Sequence, residues 1–150
     1  MSGWTLTMIG HAAATKQASA MTLRPDMAEQ LQARDGQLPE GPIWGLYDGE
    51  RVIGLGGLAR QGAAASLGWL LIGDDLTRRD WAMARRAIAV ALEWAGTRAI
   101  RRVHALVAME GARRLLKSLG FRAAHADADG LTMTLELDPA ARGAAVREAS

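Results

Sequence analysis

The chain has 150 residues, 49% of them apolar. That is the usual size of one domain and enough apolar content for one core, so residues 1–138 are expected to form a single domain and 139–150 a polar, alanine-rich tail. There is no cysteine and the formal charge is only +2, which excludes a disulfide framework, a thiolate metal site and a cysteine nucleophile.

In chain order, Trp4 to Ile9 alternates large and small polar side chains and predicts a half-buried strand. His11 to Ala20 is alanine-rich and predicts a helix. Pro25, followed by Met27, Ala28 and Leu31 at helical spacing, predicts a second helix, stopped by Gly36 and Pro39. Ile43 to Tyr47 and Arg51 to Leu58 flank Asp48-Gly49, the dipeptide of a tight hairpin turn. Gly54, Gly56 and Gly57 weaken the second of these strands unless a bulge or a close backbone approach requires them. They open no helix, so a phosphate loop is excluded there. Ser66 to Ile72 is nearly continuous in apolar residues and predicts a strand buried on both faces.

Thr77 is placed to cap a long helix running to about Ala95, with Trp81, Ala84, Ile88, Ala91 and Ala95 along one side and Gly96 as its stop. Arg101 to Ala108 predicts a strand parallel to the Ser66 strand, because a crossover helix joins the two. Glu110 to Leu119 predicts another helix, its stripe formed by Ala112, Leu115, Leu116 and Leu119, and Gly120 its stop. Phe121 starts a strand that Asp129-Gly130 turns back into Leu131 to Leu137. No segment reaches the roughly 20 apolar residues of a membrane span, and residues 1–10 lack the pattern of a signal peptide. A cytoplasmic protein, or one assembled into a virion there, is expected.

Charge is unevenly placed. From Arg78 to Arg122 eleven Lys/Arg stand against three acids, whereas the rest of the chain has seven against thirteen. The basic half suits a phosphorylated ligand, nucleic acid or an acidic protein surface, or else it solvates helix faces. No RNA-binding aromatic signature or helix-turn-helix accompanies Arg101, Arg102, Arg113 and Arg114. His11 and His125 stand alone, without metal-ligand spacing, so no metal is expected.

The order of elements, together with the strings LLI, LEWA, IRRVHALV and ARRLLKSLGFR, resembles the GNAT superfamily of acyl-CoA-dependent N-acetyltransferases. The likeness covers nearly the whole chain. It implies an α/β fold with a mixed, twisted sheet of six or seven strands, the parallel fourth and fifth splaying around the start of the long helix. The WLL strand, the RR-rich helix and the closing LGFR are also similar to short GNAT-like proteins of tailed bacteriophages, some of them virion proteins.

In that family the turn into the long helix reads Q/R-x-x-G-x-G/A, and its backbone N–H groups hold the pyrophosphate of coenzyme A. The resemblance places Arg79-Asp80-Trp81-Ala82-Met83-Ala84 at this run, with Ala82 at the first glycine and Asp80 bringing a carboxylate to where a pyrophosphate comes. Cofactor contacts are thereby implied for Arg79, Trp81, Ala82, Met83 and Ala84, with Leu70 and Ile72 on the preceding strand. Leu116 stands at the position of the family's tyrosine acid and Met109 at that of its asparagine, and neither donates a proton. The candidate bases are Asp74, Asp75 and His104; the two aspartates could instead complement the helix dipole, and His104 could be a satisfied strand histidine. Trp69, Trp81 and Trp94 could stack a ligand or pack the core.

These departures imply a catalytically degenerate GNAT-fold protein without a cofactor, structural in a phage-type particle and held by other proteins or by copies of itself. The alternative is an N-acetyltransferase using acetyl-CoA on an amine. A third reading is nonspecific binding of nucleic acid by the basic half.

Overall fold

The computed structural model describes residues 3–23, 25–107, 110–127 and 130–137. Its elements are β1 (Trp4–Ile9), α1 (His11–Ala20), α2 (Pro25–Ala33), β2 (Ile43–Asp48), β3 (Arg51–Arg60), β4 (Ala65–Ile72), α3 (Arg78–Thr97), β5 (Arg102–Val107), α4 (Glu110–Ser118), β6 (Arg122–Asp127) and β7 (Gly130–Glu136). The strands form one seven-stranded sheet in the order β1-β2-β3-β4-β5-β7-β6. The pairing of β4 with β5 is parallel, so the sheet is mixed, as the crossover helix requires. The chain clusters into two compact units, one from the chain up to Ala59 plus Trp69–Ile88, the other from Arg60–Gly68 plus the chain from Ala89 onward.

In the first unit β1 runs antiparallel to β2, from Trp4 opposite Asp48 to Ile9 opposite Ile43. The hairpin from β2 to β3 closes between Asp48 and Arg51, with a register shift at Leu46/Tyr47. Gly49 takes φ 62° in that turn, a backbone region that a Cβ disfavours. The glycines of β3 answer to close approach. A Cβ on Gly57 would lie 2.6 Å from the Trp69 indole, and one on Gly54 would lie 3.1 Å from the Leu71 carbonyl oxygen. Leu46, Ile53 and Ala84 form a buried cluster on which Trp4, Leu6, Leu76, Met83 and Ala87 pack.

The two short helices are fastened to this unit by polar contacts. His11 Nε2 donates to the Leu38 carbonyl at 2.9 Å, which makes His11 a structural tether. Tyr47 Oη donates to Gln17 Oε1 at 2.7 Å. The Met27 thioether accepts the Ile72 N–H at 3.3 Å. Between the helices, Leu23 bridges to Gly73 and the Asp74 N–H donates to Thr22 O at 3.1 Å. The chain just past β4 is therefore held by the α1–α2 connection.

In the second unit the parallel ladder joins Ala65–Gly68 to Arg102–Ala105. β7 pairs antiparallel with β5 and with β6. Val103, Phe121, Met133 and Leu135 are buried. α4 ends in a Schellman closure: Gly120 takes φ 99°, its N–H donates to Lys117 O at 3.0 Å, and the Phe121 N–H donates to Leu116 O at 3.1 Å. The Asp129 half of the last hairpin turn, Met109 and the tail over 139–150 lie outside the described residues.

Two local expectations are revised. β4 is buried at Ser66, Leu71 and Ile72 but half-exposed from Leu67 to Leu70, so its apolar run is not covered along its whole length. α3 passes Gly96 by one residue, and the left-handed position falls on Ala99, at φ 61°, with the Ile100 N–H reaching back to Ala95 O.

Candidate functional site

The start of α3 is built by a reciprocal cap. Thr77 Oγ1 accepts the Asp80 N–H at 3.2 Å and Asp80 Oδ2 accepts the Thr77 N–H at 3.0 Å, the Thr-x-x-acid box that satisfies two of the four amides a helix cannot bond internally. The Trp81 N–H already bonds Thr77 O at 3.0 Å. Helix geometry therefore leaves the N–H groups of Arg78 and Arg79 without an intrahelical acceptor, at the positive end of a 20-residue dipole. Both side chains are exposed.

Asp80 is closed off from solvent at the helix start. Only 2% of it is exposed, and Arg51, at the start of β3, donates to its Oδ2 at 2.9 Å. The same guanidinium donates to Asp75 O at 3.3 Å and lies 3.5 Å from Asp75 Oδ1. Burial by itself raises the Asp80 pKa, but the hydrogen bonds from Arg51 and Thr77 and the Arg51 charge outweigh it and hold the carboxyl at about 2. Reciprocally, the hydrogen bond to Asp80 raises the Arg51 pKa against the effect of burial. The carboxylate expected to repel a pyrophosphate is thus turned inward and neutralised.

The other candidates are distributed as follows. Ala82 is exposed, Trp81 and Met83 are half-buried and Ala84 is buried, all within the first turns of α3. The Arg79 guanidinium lies over the Trp4 ring, 4.9 Å from its centroid. Leu70 is half-exposed and Ile72 buried at the end of β4. Asp74 and Asp75 are both exposed in the turn that follows; Asp75 is partnered by Arg51, whereas the Asp74 carboxylate projects from a backbone anchored on Thr22. His104 lies in the second unit, half-buried, with Nδ1 3.0 Å from Thr134 Oγ1 across the β5–β7 ladder. Leu116 is half-buried on α4. Trp69 and Trp94 are half-buried as well, and Arg98 stacks on Trp94 at 5.1 Å.

Two features lay outside the candidate residues. One is Arg51, whose pairing with Asp80 spans 29 positions and leaves no local trace. The other is a surface groove of about 410 Å³ between α1 and α2, lined by apolar Met21, Leu23 and Leu31 and by polar Ser19, Gln32 and Asp35. Among the described residues no cluster of His, Cys, Asp and Glu could hold a metal, and no helix is long and apolar enough to cross a membrane.

No protein-family model and no curated protein matches the sequence. Solved structures match it closely in fold. An aminoglycoside 6'-acetyltransferase of type Ii is similar at TM-score 0.70 and 14% identity, over 90% of this chain and 98% of that one. A ribosomal-protein-S5-alanine acetyltransferase from Vibrio fischeri is similar at 0.65 and 13%, over 93% and 96%. A putative acetyltransferase from Salmonella typhimurium, solved with acetyl-CoA, is similar at 0.65 and 15%, over 91% and 95%. The fold is that of the GNAT N-acetyltransferases.

Proposed function

We propose that the chain is an acetyl-CoA-dependent N-acetyltransferase that acts on an amine. The observation that carries this reading is the inward pairing of Asp80 with Arg51 and Thr77. It pairs the one carboxylate of the helix's first turn and leaves two bare amides and two exposed arginines for an anion. The residues present fit a pyrophosphate: the N–H groups and side chains of Arg78 and Arg79 would hold it, with exposed Ala82 alongside and half-exposed Leu70 near the end of β4. Acetyl-CoA, when bound, supplies the activated acyl group. The acceptor amine lies in the α1–α2 groove, which the Leu23–Gly73 bridge ties to the end of β4. Asp74 takes the proton from the ammonium, directly or through water. Leu116 can donate none, so protonation at the end of the reaction falls to solvent.

Calorimetric titration at sub-millimolar acetyl-CoA tests the reading. Binding is expected, and Arg78→Ala/Arg79→Ala should weaken it by at least about tenfold at low salt, with a smaller loss at high salt. Absence of both heat and thermal shift removes the proposal. A second reading, a catalytically silent protein of this fold with a structural place in a phage-type particle, is favoured by Leu116 at the acid position. It predicts copurification with particles and no acetyl transfer to any amine.

A further inference from the structure

We infer that β1 is the interface of a homodimer, two copies pairing antiparallel about a two-fold axis at Leu6. Among the described residues β1 and β6 are the terminal strands of the sheet. A terminal strand presents a row of unpaired N–H and C=O groups, which proteins commonly guard with charge. β6 carries Arg122 and His125. β1, WTLTMI, carries no charge and no proline over its whole length, and Met8 is 49% exposed.

The backbone register selects the axis. The Gly49 N–H donates to Gly3 O at 3.1 Å, and Trp4 lies opposite Asp48. In an antiparallel pair the bonded residues alternate, so Thr5, Thr7 and Ile9 bond inward to β2 while the N–H and C=O groups of Trp4, Leu6 and Met8 point outward. Those outward residues are symmetric about Leu6. A two-fold there pairs Leu6 with the partner's Leu6 and Trp4 with the partner's Met8, making about six new N–H···O bonds.

The side chains agree with the backbone. The run Trp4-Thr5-Leu6-Thr7-Met8 is close to a palindrome, so Thr5 meets the partner's Thr7 in a close, non-bonded pair, and apolar meets apolar on the other face. Thr–Thr and apolar cross-strand pairs are favourable, and no like charges meet. Trp4 Nε1 is the one buried side-chain nitrogen or oxygen without a hydrogen-bond partner among the described residues. The pairing brings it the partner's Met8, whose thioether is an acceptor. A self-complementary, uncharged edge fits a second copy of itself better than it fits a charged partner.

Light scattering and sedimentation of the full chain over a range of concentrations test this. Twice the monomer mass is expected in the micromolar range, and a monomer at 200 µM or so overturns the inference. Thr5 and Thr7 are exposed, so charges placed there stay out of the core. Thr5→Lys/Thr7→Lys sets lysine against lysine twice and should weaken the dimer by at least about tenfold. Thr5→Lys/Thr7→Glu sets lysine against glutamate and should return the dimer to within about threefold of wild type, with a salt dependence the wild type lacks. A dimer that survives the double lysine lies elsewhere. A lysine–glutamate variant as monomeric as the double lysine refutes the register, and circular dichroism on both variants separates dissociation from unfolding.

Discussion

Replacing Asp80 tests whether the helix start is built as described. Asp80→Ala removes the cap on the Thr77 N–H, about 1 kcal/mol, and the charged hydrogen bond from Arg51, about 1.5–3 kcal/mol. Arg51 is 36% exposed and keeps Asp75 at 3.5 Å, so it rehydrates and limits the loss to about 3 kcal/mol. In a chain of this length that lowers Tm by about 6–12 °C. Asp80→Asn keeps an oxygen for Thr77 and loses only the charge. Since the carboxyl is held at about 2 against 3.8, the charge contributes roughly 2 kcal/mol.

That contribution has a defined pH window. A carboxyl whose folded pKa is depressed stabilises fully above its unfolded pKa and loses the contribution as pH falls through the folded value. The gap between wild type and Asp80→Asn should be constant from pH 7 to pH 5 and close between about pH 4 and pH 2. Urea unfolding at pH 7, 5, 3.5 and 2.5 reads it directly. A gap under about 0.5 kcal/mol at pH 7, or one that persists undiminished at pH 2.5, refutes the inward pairing. Asp80→Asn also leaves Arg51 with only the exposed Asp75 to offset its charge beside the helix start, so, on the proposed reading, the less stable protein should bind acetyl-CoA a few-fold more tightly at low salt.

Gly57→Ala sets a methyl 2.6 Å from the Trp69 ring and should cost about 1–3 kcal/mol in urea unfolding, with a change in tryptophan fluorescence as the indole shifts. On the proposed acetyltransferase reading, Leu116→Tyr restores the hydroxyl that the family resemblance puts at this position, and turnover of an amine substrate should rise by about tenfold or more, measured as release of free thiol, with little change in acetyl-CoA affinity.

Much of the fold was legible because its signals are local. Asp48-Gly49, Gly120 and the parallel crossover each depend on a few adjacent residues or on a connection length. Gly54, Gly56 and Gly57 could be read as marking a close approach; that the neighbour is Trp69 required the sheet. At the site, Thr77 was legible as a cap, and the Thr77-x-x-Asp80 spacing carried the signal that the carboxylate folds back, since a capping box is local. Its second partner was not legible. Arg51 sits across a hairpin and a strand, and nothing near it in sequence distinguishes it from Arg60. Gly96 marks the expected stop of α3 because glycine favours left-handed backbone, yet Ala99 bears that strain.

The bare edge of β1 also bears on how the chain is made. β1 leaves the ribosome ahead of its partner β2, which begins 34 positions after Ile9. At ordinary elongation rates Trp4–Ile9 waits roughly 2–8 s for β2 to emerge. During that interval a six-residue, uncharged, β-favouring segment is exposed on both edges, which is the composition that nucleates aggregates. Slower initiation or lower temperature during expression should raise the yield of folded protein, and a tag with charge placed directly before Trp4 should do the same.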